Sequence, residues 1–405
     1  MRNCLACTFP LPIFAAMESL VPAKITQATD LLDQLGLDLW LIFVRETNMH
    51  TDPTMEMVVG HHVTWQSVFF YTRTGRAIAL VGNLDEANFR DAGCTEVKSY
   101  TAGVKEDLRA ILDDLQPTSI ALNYSTDDVA ADGLTHGMYQ LLCAYLAGTP
   151  YPDRFVSAEQ LVTKLRSRKL PEEVDRLRDA AVTAETIWQE TVGQFHIGMT
   201  EKEIAARLEQ AMSAADVTPS FTTIVNAGDK TDPGHGLPSD ARLEGGDLLH
   251  VDFGVRLRDY CSDLQRLVYF RRPNETTAPD ELREAFTVVR DIITATAAAC
   301  RPGVRGFEID AIARQELRDH GYPEYEHALG HQLGRSVHDG GGILGPRWER
   351  YGRTPEIELE AGNVFTLELE INLPGIGCVG LEEDVHVTGQ GAEFLCPRQM
   401  ELRIV

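Results

Sequence analysis

The sequence has no run of apolar residues approaching the ~18 that a membrane span needs, so no stretch of it reads as a transmembrane helix. Paired cysteines are equally scarce. Of eight cysteines, Cys4 and Cys7 form a CLAC at the extreme N-terminus, while Cys94, Cys143, Cys261, Cys300, Cys378 and Cys396 stand apart. Zinc-ribbon and disulfide-framework readings are therefore weak, and a reducing, cytoplasmic setting is expected. Positive charge is short too. Lys and Arg number 37 against 61 Asp and Glu, a net charge of −24. That balance argues against nucleic acid and anionic membrane as partners. What remains is ordinary for a globular chain: 43% hydrophobic and 24% charged residues. A chain of 405 residues is long enough for two domains, each with its own core.

Residues 1–16 combine one arginine, a short apolar run and a small-residue end, as a signal peptide does. Two prolines interrupt the run, and Met17 opens sequence that already reads as folded. An over-long start or a disordered tail is the expectation there. A first domain then spans 17–165. It alternates a helix (Ile25–Leu35), an apolar strand (Leu37–Val44), a hairpin (Val63–Thr72 and Arg76–Val81), and further helices and strands through Ala147. Such alternation suggests an α/β domain. His50, His61 and His62 share one loop region without acidic partners spaced with them, and read as a solvated or interface loop.

A second domain is expected over 166–405. Glu159–Leu170 leads into Pro171-Glu172-Glu173, a helix start with an early proline and acids in the first turn. The helix runs to Phe195, and Thr200-Glu201-Lys202-Glu203 is a capping box opening the next. Then the pattern restarts. Pro279–Cys300 and Phe307–His320 read as helices, and Gly303-Val304-Arg305-Gly306-Phe307-Glu308-Ile309 lines up with Gly198-Met199-Thr200-Glu201-Lys202-Glu203-Ile204. Helix, helix, hairpin occurs twice, which predicts a pseudo-symmetric domain with its site between the halves.

Each copy carries a pair of carboxylates in strand-like sequence. In the first, Asp252 and Asp263 are symmetric about the midpoint between Leu257 and Arg258, so a hairpin turning there would set them face to face. In the second, Glu368 and Glu382 are symmetric about Gly375. Parity puts Glu382 in phase with Gly380, Asp384 and His386, and Glu383 with Val379, Leu381 and Val385. Like charges directly opposed are destabilising, so an offsetting group is required. A divalent cation supplies it. Between the hairpins lies Glu326-His327-Ala328-Leu329-Gly330-His331-Gln332-Leu333-Gly334, then Val337-His338-Asp339. Four carboxylates and one imidazole suit a two-metal hydrolytic site.

With these residues placed, the stretch from about 160 to 405 resembles the creatinase/methionine-aminopeptidase superfamily, the M24 "pita-bread" metallopeptidases. It is most similar to the branch of aminopeptidase P and prolidase. The carriers are the lead-in LRSRKLPEEVDRLRDA, Asp-x10-Asp, Gly-His-x-x-Gly, and two glutamates on a closing hairpin. The resemblance implies an α/β (α+β) chain: a creatinase-type N-terminal domain and, after it, the pseudo-symmetric catalytic domain. It also implies that Asp252, Asp263, His331, Glu368 and Glu382 hold two metals. Manganese is favoured, with cobalt or zinc possible, because no thiolate enters the set. Cys261 is not counted as a ligand. Asp232-Pro233-Gly234-His235-Gly236-Leu237-Pro238 sits where the branch has its substrate loop, and His327 and His338 flank His331 as the branch's histidines do.

The activity implied by the resemblance is hydrolysis of the peptide bond preceding proline through a metal-bridging hydroxide, by an Xaa-Pro dipeptidase or an Xaa-Pro aminopeptidase. Glu368 would act as general base and His338 as donor to the carbonyl oxygen. His235 would orient the leaving side, and His327 would position or shuttle. Small proline-containing peptides are the expected partners. A homodimer is expected as well, the N-terminal domain of one subunit closing over the other's cleft. Two alternatives come with the family: a metal-independent creatinase-like C–N hydrolase, and a non-catalytic peptide- or protein-binding member.

Three positions depart from the branch. Leu369-Glu370 stands directly after Glu368, where Pro-Gly is usual, and adds an acid on the same face. Gly380 stands where an arginine is usual, two residues before Glu382. And Asp339–Ala361 is long and rich in glycine and arginine. Arg347, Arg350 and Arg353 in that segment, beside Trp348 and Tyr351, are candidates to take a substrate carboxylate in place of the missing arginine.

Overall fold

The computed structural model describes residues 19–90, 92–228 and 236–405. The reading of residues 1–16, and that of His235, lie outside those residues. The chain divides into two compact units. One comprises the chain up to Asn123 together with Gly133–Ser157; the other comprises Tyr124–Asp132 and Ala158–Val405.

The first unit is built on a six-stranded mixed sheet. Its central strand, Leu39–Val44, pairs antiparallel with Ser67–Thr72 and parallel with Ile120–Leu122. All six residues of Leu39–Val44 are buried, as expected for a strand covered on both faces. Helices Lys105–Leu115 and His136–Tyr145 supply Leu108, Ile111, Leu112, Met138 and Leu142 to its core.

The second unit carries the duplication. Helices Pro171–Thr191 and Glu201–Ala214 precede the first carboxylate hairpin, and Asp280–Ala299 and Gly306–Asp319 precede the second. The correspondence extends to individual hydrogen bonds. Gly198 and Gly303 both have positive φ (98° and 87°). Their amides donate to Leu243 and Leu359, each at 2.8 Å. Glu203 and Glu308 each accept the backbone N–H of the residue three before, at 2.8 Å. The reciprocal side-chain bond of a capping box is made by Thr200 alone, whose Oγ accepts the Glu203 amide at 3.1 Å.

The two hairpins join in one seven-stranded sheet. Val364–Leu373 pairs with Gly377–Val387, the latter with Leu264–Tyr269, and that strand with Leu248–Phe253. On the closing hairpin, Phe365, Leu367, Leu369, Ile371, Val379, Leu381 and Val385 enter one core with both helices of the second copy. Alternation sends Glu368 and Glu382 to the other side. Among the described residues no helix is long and apolar enough to cross a membrane.

Candidate metal centre

The closing hairpin has the expected register, with Glu368 directly opposite Glu382. The first hairpin does not. It turns at Arg258-Asp259, both in the left-handed region (φ 51° and 67°), and Leu257 pairs with Tyr260. A two-residue loop with both residues at positive φ matches the right-handed twist of its strands, which favours this turn over the one centred before Arg258. Asp252 therefore faces Gln265, and Asp263 sits one diagonal place away. The shift is by an even number of residues, so both aspartates keep the same face. The ladder is interrupted between them because Gly254 lies against the Ser262 carbonyl, where a Cβ would come to 1.8 Å.

His331 is brought in by backbone pairing with the closing hairpin. Thr366 donates to the His331 carbonyl at 2.9 Å, and Glu368 to Leu329 at 2.7 Å. Gly330 allows this approach, since a Cβ there would lie 2.0 Å from the Thr366 carbonyl oxygen. Asp263, His331 and Glu382 converge with ligand atoms within 4.8 Å of one another. His331 Nε2 is 3.6 Å from Asp263 Oδ2 and 4.0 Å from Glu368 Oε1. Both distances are too long for hydrogen bonds.

The electrostatics of this cluster are unbalanced. Burial pushes Asp252 up to about 7. Burial, then the charges of Asp252 and Glu370, pushes Glu368 up to about 8. Burial and mutual repulsion drive Asp263 and Glu382 well above the usual carboxylate range. Burial, then the neighbouring His338, lowers His331 to about 3, so its imidazole is neutral. With Nδ1 facing the Gln332 carbonyl at 3.3 Å, the Nε2 lone pair points at carboxylate oxygens. Asp252 Oδ1, Asp263 Oδ1 and Glu382 Oε1 are buried without a hydrogen-bond partner. Lone pairs converging on a common point are the condition a cation relieves, so the residues fit a metal.

The cluster opens into a cleft of about 610 Å³, also lined by His327, His338, Glu370 and Arg350. The His338 ring stands edge-on to His331, with centroids 4.2 Å apart. Its loop is anchored by Asp339, which is buried between Arg166 and Lys169, the latter at 2.7 Å. Burial would raise the Asp339 carboxyl, but these two cations outweigh it and hold it low. His327 is held through its backbone, whose carbonyl accepts from the buried Arg314 at 2.7 Å. Cys261 is buried, its thiol donating to the Arg335 carbonyl, and does not line the cleft.

Of the three candidate arginines, only Arg350 lines the cleft. It donates to the Glu326 carbonyl and lies over Trp348 and Tyr351. Arg347 is committed to Glu356 at 2.5 Å and to the face of Phe307. Arg353 pairs with Asp127 and Glu159, at 3.0 and 3.1 Å. Sequence reasoning missed three residues here. Gln265 touches the cluster, His250 touches Gln265, and Asp384 accepts the Asp263 amide at 3.2 Å. Strand parity marks all three, but an uncharged glutamine among leucines gave no chemical reason to select it.

A neutral imidazole, four clustered acids of which Asp263 and Glu382 are buried, and a cleft define a metal-dependent hydrolase on a duplicated α/β scaffold. Residues 175–389 match metallopeptidase family M24, and the chain belongs to that family. An Xaa-Pro dipeptidase from Pyrococcus furiosus is 31% identical over 250 residues, 61% of this chain and 68% of that protein. The structure of an X-Pro aminopeptidase from Thermotoga maritima superimposes with a TM-score of 0.73 at 26% identity, covering 94% of this chain and 99% of its own. An Xaa-Pro dipeptidase from Bacillus anthracis gives 0.75 at 25% identity, covering 95% and 99%.

Proposed function

We propose that this metallopeptidase cleaves the peptide bond preceding proline in small peptides, with Asp252, Asp263, His331, Glu368 and Glu382 holding two divalent ions. One observation carries the metal reading: buried carboxylate oxygens of Asp252, Asp263 and Glu382 lack any partner beside a neutral His331. The choice of substrate is supported by the names of the related dipeptidase and aminopeptidase. Bound divalent ions supply a nucleophile at neutral pH and a Lewis acid for the scissile carbonyl. Around them the chain's own groups divide the remaining work. Glu368, which lines the cleft beside His331, takes the proton of the attacking water as general base. His338, exposed at the cleft, donates to the carbonyl oxygen as charge develops. His327, which also lines the cleft, positions the substrate, and His235 orients the leaving side.

A dipeptide is favoured over a longer substrate because Arg350 is the one Lys or Arg among the described residues lining the cleft. Manganese is the favoured ion, on the all-oxygen-plus-imidazole donor set. The protein works as a homodimer in the cytoplasm, and light scattering at micromolar concentration tests the first of these. A panel of Xaa-Pro dipeptides against Xaa-Pro-Yaa tripeptides, with manganese and with chelator, tests the reaction. Metal-dependent release of proline is expected from the dipeptides. No hydrolysis of either set by the manganese-loaded protein overturns the reading.

A further inference from the structure

Gln265 occupies the centre of the site without being one of its acids. It pairs with Asp252 on one side and with Glu382 on the other. Its amide nitrogen donates to Glu382 Oε2 at 2.9 Å and to Glu368 Oε2 at 3.3 Å. Its amide oxygen faces His250 Nε2 at 2.9 Å, and His250 Nδ1 faces Asn226 Oδ1 at 3.1 Å. Ionised carboxylates only accept, so in the metal-binding state the amide is oriented with NH2 toward the glutamates, and His250 donates to its oxygen.

This chain of contacts fills the space over Gly380. A Cβ at that position would lie 2.7 Å from Gln265 Oε1 and 2.9 Å from His250 Nε2. Gly380 and the Gln265–His250 pair are therefore one arrangement: a larger residue at 380 requires the pair to move. No side chain from position 380 enters this space. The amide that fills it is neutral and directed at the acids.

We propose that Gln265, braced by His250 and admitted by Gly380, is the positioning residue for Glu368 and Glu382. It fixes the carboxylate rotamers so that one oxygen of Glu382 is turned away from the amide toward Asp263 and His331. Both its amide hydrogens go to glutamates, which orders the two carboxylates relative to each other. A residue that orients ligands typically changes metal affinity by about 10- to 100-fold when removed. This inference rests on the two-metal reading proposed above.

The test is titration of chelator-stripped full-length protein with Mn2+, together with the visible spectrum of the Co2+-loaded form. Wild type is expected to take up two ions. Gln265→Met, close in shape but without the amide, is expected to bind at least one of them about 10- to 100-fold more weakly and to alter the cobalt spectrum. At saturating metal its kcat should fall with KM little changed. Gly380→Ala should move both readouts the same way through displacement of the pair, and it decides the matter by itself if Gln265→Met does not fold. Wild-type affinity and an unchanged cobalt spectrum in the folded variants overturn the proposal. Failure of wild type itself to bind metal overturns the two-metal reading instead, and this inference with it.

Discussion

Glu382 and Glu383 are neighbours in sequence, both about 1% exposed, and they point to opposite faces of the same sheet. Glu383 meets Arg266 at 3.1 Å, and Arg266 also holds Glu185 at 2.8 Å. Burial raises the Glu383 carboxyl, but Arg266 and Arg398 pull against it. Glu382 has no such cation among the described residues. Burial and the charges of Glu368, Asp252 and Asp384 all push its carboxyl upward, with only the Gln265 amide opposing. One face of the sheet thus carries its own counter-charge and the other does not. The first is a structural ion-pair network; the second is the proposed cation site, and the distinction lies in which acids lack a counter-charge.

The largest expected effect breaks the uncompensated face. Glu382→Gln and Asp263→Ala should each abolish tight binding of at least one ion and lower activity by more than about 100-fold, beyond the loss typical of an orienting residue. The metal-free fold should not suffer, because one member of a repelling cluster has been removed. Metal content and thermal unfolding measured side by side check this. Full activity in metal-replete Asp263→Ala excludes it as a ligand.

The mirror experiment breaks the compensated face. Arg266→Met takes the cation from buried Glu185 and leaves Glu383 only the more distant Arg398, at 4.0 Å; breaking a buried pair in this way typically costs about 3–5 kcal/mol. For a unit of this size that is a fall in melting temperature of about 10 °C. Metal stoichiometry in the surviving folded protein should stay at the wild-type value. Loss of metal in Arg266→Met would mean that the two faces are not independent.

A third effect is read from pH. In the metal-free fold Asp252 is pushed up to about 7 and Glu368 to about 8, from ordinary values of 3.8 and 4.5. Between those limits the folded chain binds more protons than the unfolded one. The contribution to stability is complete below about pH 4 and is lost as pH rises toward about 8. Melting of the chelated protein should therefore decline from about pH 5 to about 8.5. With saturating Mn2+ the added stabilisation should grow over the same range, because protons compete with metal for the same oxygens. Parallel profiles with and without metal would argue against a titrating cluster.

Legibility in the sequence depends on what determines each feature. The closing hairpin is readable to the residue because Pro374-Gly375 centres it, and Gly375 adopts the expected positive φ of 77°. The first hairpin turns one position away from the centre that its spacing predicts. Arg258 and Asp259 carry no glycine signal, and their left-handed geometry is imposed by strand twist. Parity survives that difference, which is why Asp252 and Asp263 still share a face. The role of Gly380 is legible only as a missing arginine. What fills the space comes from His250 and Gln265 on other strands, and no local pattern encodes that contact. The arginine segment is likewise legible in composition but not in partners: Glu356, Asp127 and Glu159 engage Arg347 and Arg353.

The smallest expected effect concerns the cation that does reach the acidic cleft. Arg350 is exposed, stacks on Trp348 and Tyr351, and uses one amine on the Glu326 carbonyl, leaving donors free for a ligand. If it takes the carboxylate of a dipeptide, the pair forms at a solvated rim, where such contacts are worth roughly 0.2–1 kcal/mol. Arg350→Ala should then raise KM for Xaa-Pro dipeptides by about two- to fivefold and leave kcat unchanged. Amidated substrates, which offer no carboxylate, should show no change. Arg347→Ala and Arg353→Ala, whose guanidiniums are engaged elsewhere, should treat free and amidated substrates as wild type does. Equal KM values for free and amidated dipeptides in wild type and Arg350→Ala would show that Arg350 does not take the carboxylate.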